Sequence, residues 1–177
     1  MDAIAFAKVL AQARPSSAVL SSLGIGGEGA ASFQAAFELP RRIKRHDYGL
    51  PDATLNELYS DFDPSRVEVG PVRFEPAPRQ VHDGWIVGDV SGDYLVLQAL
   101  DGELNVRDIH QPSHLMERCA ASGAMFLDGL SLAVEYFAGR LVDRISDEAA
   151  GAYAAECGRL SGGQQYQDFY EMLLGVE

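Results

Sequence analysis

Cysteine is scarce: Cys119 and Cys157 are the only two in 177 residues. A disulfide framework is therefore excluded, and a reducing compartment, the cytoplasm, is the expected setting. No apolar run approaches the roughly 20 residues a membrane-crossing helix needs, so no membrane contact is expected. Basic side chains are also few, 14 against 26 acidic ones, for a net charge of −12. That sign argues against a surface built to neutralise phosphate, and hence against a nucleic-acid partner. The apolar start contains Ala11-Gln12-Ala13, which imitates a signal-peptidase site, but its only early charges are Asp2 and Lys8. Without a basic leading region it reads as a helix with Phe6, Val9, Leu10 and Ala13 on one face.

What is present is ordinary globular material, 47% hydrophobic and 23% charged, enough for one core in one domain. Residues 14–38, rich in serine and glycine, read as a loop-rich connection around a short apolar piece. Charge divides unevenly. Residues 1–45 carry six basic and three acidic side chains, and residues 46–177 carry eight and 23, a net −15. Leu50-Pro51-Asp52 opens a helix bearing Leu55, Leu58, Tyr59 and Phe62, and Asp63-Pro64 stops it. Prolines restrict residues 67–75 to short or edge strands. Three strands follow, residues 85–90, 94–99 and 103–109, separated by the turn pairs Ser91-Gly92 and Asp101-Gly102, which predicts an antiparallel meander. In the third, Glu103, Asn105 and Arg107 are expected on a wet face. Pro112 is expected to end the sheet and to precede a helix capped by Ser113. Residues 124–145 form an amphipathic helix with Phe126, Leu130, Val134, Phe137, Leu141 and Ile145 in a stripe. Two further helices are expected, one from Ser146 to Gly158 and one from Gln164.

Candidate chemistry is thin. Leu160-Ser161-Gly162-Gly163-Gln164-Gln165 matches the signature motif of ABC-transporter ATPases, but no phosphate loop accompanies it, which favours an interhelix turn with Ser161 as a cap. Gly24-Ile25-Gly26-Gly27-Glu28-Gly29 lacks the strand and long helix of a dinucleotide fingerprint. His110, His114, Glu117 and Cys119 carry metal-ligand chemistry, but Pro112 interrupts the spacing, so a small metallo-hydrolase using His110, His114 and Cys119 is a remote alternative. Asp83, Asp89, Asp93, Asp101, Glu103 and Asp108 concentrate around the meander. They serve either as turn formers or as an anionic surface for a basic partner.

The segments Leu50-Pro51, Trp85-Ile86-Val87-Gly88-Asp89 through Ser91-Gly92-Asp93-Tyr94 to Leu95-Val96-Leu97, then Asp101-Gly102 and the strand 103–109, and finally residues 126–137, come in an order that resembles the SUKH superfamily. The bacterial members of that superfamily are mostly immunity proteins against toxins, and its fungal relatives regulate cell-wall synthesis. The family's Asn-Gly pair after the first helix is replaced here by Asp61-Phe62-Asp63-Pro64. The resemblance implies a single α+β domain: an N-terminal helix and loop-rich extension (1–45), a SUKH-like core with an antiparallel meander covered by helices (46–145), and a C-terminal helical extension (146–177). It implies a non-enzymatic cytoplasmic protein that needs no cofactor or metal and neutralises a toxin of nuclease or deaminase type by occluding its basic surface. Asp89, Asp93, Asp101, Glu103 and Asp108 are the expected contacts, with Trp85 either core or aromatic anchor. The alternative is a general protein-interaction or regulatory module without a toxin.

Overall fold

The computed structural model describes residues 1–176. Helix α1 (Ala3–Ala13) is capped by the Asp2 carboxylate, which accepts the Ala5 N–H at 2.7 Å, and it buries Ala3, Phe6 and Leu10. The expected loop beyond it contains two short helices, α2 (Ser17–Ser22), capped by Ser16, and α3 (Gly27–Ala35), which buries no residue. Serine, glycine and alanine leave these helices without an apolar stripe, so periodicity could not reveal them. Helix α4 (Ala53–Asp61) begins at Asp52, whose Oδ1 accepts the Leu55 N–H.

The sheet is a pure meander in which β1 (Glu68–Val69), β2 (Val72–Val81), β3 (Gly84–Val90), β4 (Asp93–Gln98), β5 (Leu104–Arg107) and β6 (Leu115–Ala120) lie in chain order, all antiparallel. β2 is longer than the prolines suggested. Pro76 and Pro78 fall between the paired positions Phe74 and Arg79, where the register slips, so neither is asked for a ladder N–H. Ser91 and Gly92 both take positive φ (55° and 97°), as a tight hairpin demands. In the next turn only Gly102 does, because that connection is longer. Pro112 does not end the sheet. The segment after it is β6, and the helix starts only at Gly123, so Ser113 caps nothing.

Helix α5 (Gly123–Leu141), capped by Ser122, lies across one face of the sheet. Phe126 is its anchor, with ring centroids 6.4 Å from Phe74 and 6.3 Å from Phe169. The helix stops short of Ile145, which folds back onto Gly139; a Cβ there would sit 2.3 Å from the Ile145 side chain. After a 3-10 turn comes α6 (Ala150–Leu160), then a second such turn and α7 (Gln167–Leu174), closed by Gly175 in the left-handed region. Gly158 does not terminate α6. It is buried within it, where the backbone of Gln167 crosses within 2.9 Å of a would-be Cβ.

One hydrophobic cluster holds all of this together. It takes Phe6 and Leu10 from α1, Val87, Leu95, Leu97 and Val106 from the sheet, Phe126 and Leu130 from α5, and Phe169, Tyr170 and Leu173 from α7. The three sequence segments thus share a single core. Arg42 adds a polar stitch, its Nε donating to the carbonyls of Tyr59 and Phe62 and its Nη2 to that of Pro76.

Candidate protein interface

The helices pack on one side of the sheet; on the other, Ile86, Val96 and Asn105 are nevertheless buried, beside Tyr94, Arg107, Pro112 and Ser113. At one end of the meander, the β3–β4 turn and the loop of residues 108–114 meet. Asp89 Oδ1 accepts the Gly92 N–H at 3.2 Å, and Asp93 Oδ1 reaches across to the Ile109 N–H at 3.0 Å. Asp108 Oδ1 accepts from the N–H groups of His110 (2.6 Å) and Gln111 (3.1 Å). The first of these bonds, more than any other cause, holds the Asp108 carboxyl below the usual carboxylate range. Each of these aspartates shapes a turn, yet none of the three forms an ion pair among the described residues. The structure therefore brings Asp89, Asp93 and Asp108 to one tip with their charges unspent.

The other expected contacts lie elsewhere. Asp101 sits in the β4–β5 turn, bonded to the Glu103 N–H at 3.0 Å. Glu103 is engaged internally by Gln98 (3.1 Å), the Tyr166 hydroxyl (3.1 Å) and Arg118 (3.9 Å), and its side chain is only 13% exposed. Trp85 pairs with Leu97 on the helix-covered side and packs against the core. It is half-buried, bordering the core with part of its surface accessible.

The face without helices is of mixed charge, not an anionic sheet. Arg73 pairs with Glu68 at 3.0 Å, Arg79 lies 5.4 Å over the Tyr94 ring, and Arg107 pairs with Asp83 at 2.5 Å. The Arg107 bond is the main reason the Asp83 carboxyl titrates low. Asn105, expected in solvent, is fully buried among Val96, Arg107 and Arg118. Its Oδ1 accepts from Arg107 Nε at 3.0 Å, while its Nδ2 has no partner among the described residues. Strand β6, unseen in the sequence, and the Arg107 side chain that folds back onto Asn105 are the cause.

Cys119 and Cys157 are both buried, and burial is the first cause that raises each thiol, Cys119 well above its ordinary value and Cys157 to about 12. Protonated thiols are poor nucleophiles and metal ligands. His110 and His114 are exposed on their loop, so the cluster His110, His114, Cys119 is not assembled. Among the described residues no group of three or more His, Cys, Asp or Glu side chains is placed to hold a metal ion. The ABC-like segment is the α6–α7 turn. Ser161 closes α6 as its C-cap, its N–H bonded to the carbonyls of Cys157 (2.9 Å) and Gly158 (3.1 Å), and its buried hydroxyl donates to the Tyr170 hydroxyl at 2.7 Å. A concavity of about 820 Å³ between α3, β1 and α5 is mainly apolar; its Glu68 and Arg140 are already paired with Arg73 and Asp147.

Comparison with family models, with curated proteins and with solved structures finds no match. The reading therefore rests on the geometry.

β6 is the strand sequence reasoning missed. Its only available signal was Ser122, a helix N-cap that leaves the preceding six residues to some other structure. On this strand Leu115 and Met116 are 43% and 45% exposed. The Glu117 carboxyl is raised first by burial and then by the like charge of Asp168. A raised carboxyl is most at home when protonated, so its contribution to stability is present at low pH and is lost as pH rises through its folded pKa. Glu117→Gln is therefore expected to stabilise the fold at neutral pH, with the gain vanishing on acidification below the ordinary glutamate range. Urea denaturation across that interval checks it, and a gain that persisted in acid would contradict this origin.

Proposed function

We propose that this protein is a non-enzymatic binding protein that captures a basic protein, acting as an immunity protein of SUKH type that occludes the cationic surface of a nuclease or deaminase toxin in the cytoplasm. The observation that carries this reading is the tip where Asp89, Asp93 and Asp108 converge without ion-pair partners, in a segment of net charge −15. Unpaired carboxylates on a rigid turn steer a cationic partner and raise its association rate without any covalent step. The buried thiols and the unassembled histidines favour binding over catalysis.

The test pairs the purified protein with the basic C-terminal domain of a secreted protein encoded beside its gene. Asp89→Asn, Asp93→Asn and Asp108→Asn together keep an oxygen that can accept each turn hydrogen bond but remove the charge. This triple variant is expected to associate about tenfold or more slowly at low salt, with the difference shrinking at high salt. Association that ignores both salt and the substitutions would refute the electrostatic capture.

A further inference from the structure

The sheet has two edges, and they differ. β1 is only two residues long, and its Glu68 N–H already donates to the Ala36 carbonyl. β6 is six residues long and pairs with β5 alone. Among the described residues, no backbone group from 115 to 119 bonds to anything beyond the β5 ladder. A free edge of this kind is a template for strand addition, and natural edges are commonly blunted by lysine or proline. β6 has neither; it carries two register slips, the half-buried Glu117, and Arg118, which leans toward Glu103, and the edge is taken up only beyond it, where the Ala121 N–H donates to the Ser161 carbonyl. Its exposed Leu115 and Met116 offer apolar contact.

Charge selects the occupant. Asp108 precedes the strand, Glu117 lies on it, and Asp168 stands beside Glu117 from α7; none of the three has a salt-bridge partner among the described residues. A second copy of this chain would bring another −12 to the same edge, which opposes self-pairing. We infer that the free edge of β6, residues 115–118, accepts an extended basic segment of the partner as a seventh strand. The inference deepens the binding function proposed above and rests on it, since it names the secondary structure through which a basic protein is held.

The test uses the full chain, isotope-labelled for amide NMR and hydrogen exchange, with two synthetic eight-residue probes, one alternating lysine and valine and one alternating glutamate and valine. The lysine probe is expected to slow exchange of amides in residues 115–118 and to bind at least about tenfold more tightly than the glutamate probe. In the folded double variant Glu117→Lys with Asp168→Lys that preference is expected to reverse. Perturbation confined to the tip at Asp89, Asp93 and Asp108 would overturn the strand addition while leaving the capture of a basic protein standing. Failure of the lysine probe to bind at all would also overturn it, and the salt-dependent assay above would then decide the broader function separately. Sedimentation of the unliganded chain as a dimer with protected β6 amides would overturn it as well, because the edge would then belong to a second copy.

Discussion

Phe126→Ala is expected to lower stability by about 3–5 kcal/mol, the range for removing a buried aromatic ring. The ring is fully buried where β2, α5 and α7 meet, edge-on to Phe74 and tilted against Phe169. Neither neighbour can fill the void without abandoning the other. Because a domain of this size has only about 5–15 kcal/mol in hand, that loss is a large share of its stability. Urea denaturation with an unchanged slope would place the loss in the folded state. A loss under about 1.5 kcal/mol would mean that the core collapses into the gap, against the close packing described here.

Asp52 carries the second large effect because one carboxylate serves two helices. Oδ1 accepts the Leu55 N–H at 2.8 Å and caps α4, while Oδ2 accepts the Gly123 N–H at 2.9 Å at the start of α5, 71 residues away. Asp52→Ala removes a cap and orphans a partly buried donor, a combined cost of about 2–4 kcal/mol. Asp52→Asn makes the diagnosis sharper. Asparagine is ordinarily as good a cap as aspartate, but it has only one acceptor oxygen. Its amide must therefore face the Gly123 N–H donor to donor, and the variant should be clearly destabilised where a simple cap would tolerate it. An asparagine variant as stable as the parent would show that the second bond contributes nothing. Gly123 is matched to this arrangement, since a Cβ there would lie 2.3 Å from Asp52 Oδ1.

What could be read in advance follows from which interactions are local. The β3–β4 hairpin was legible because Ser91-Gly92 supplies the backbone geometry within two residues, and α5 because Phe126, Leu130 and Val134 repeat at helical spacing. β6 was not, because Leu-Met-Glu-Arg-Cys-Ala has no strand-like alternation and contains no β-branched residue; pairing with β5 imposes its conformation. Asn105 was placed in solvent for a related reason, since alternation along one strand cannot know that a neighbouring strand and an arginine will close over it. Of the expected contact residues, Asp89, Asp93 and Asp108 were legible as turn formers, but that they share one tip depends on the Asp93 to Ile109 bond between two separate connections. Glu103 looked free because its partners, Tyr166 and Arg118, come from later in the chain.

Helix α1 buries Phe6 against Phe74 and lies along α5, so its docking site does not exist until residues 123–141 have been made. At a synthesis rate of about 5–20 residues per second, the ribosome takes roughly 6–25 s to bridge that interval. Throughout it the apolar stripe of α1 is open to chaperones, and the nascent chain can complete its core only when α5 emerges to cover it.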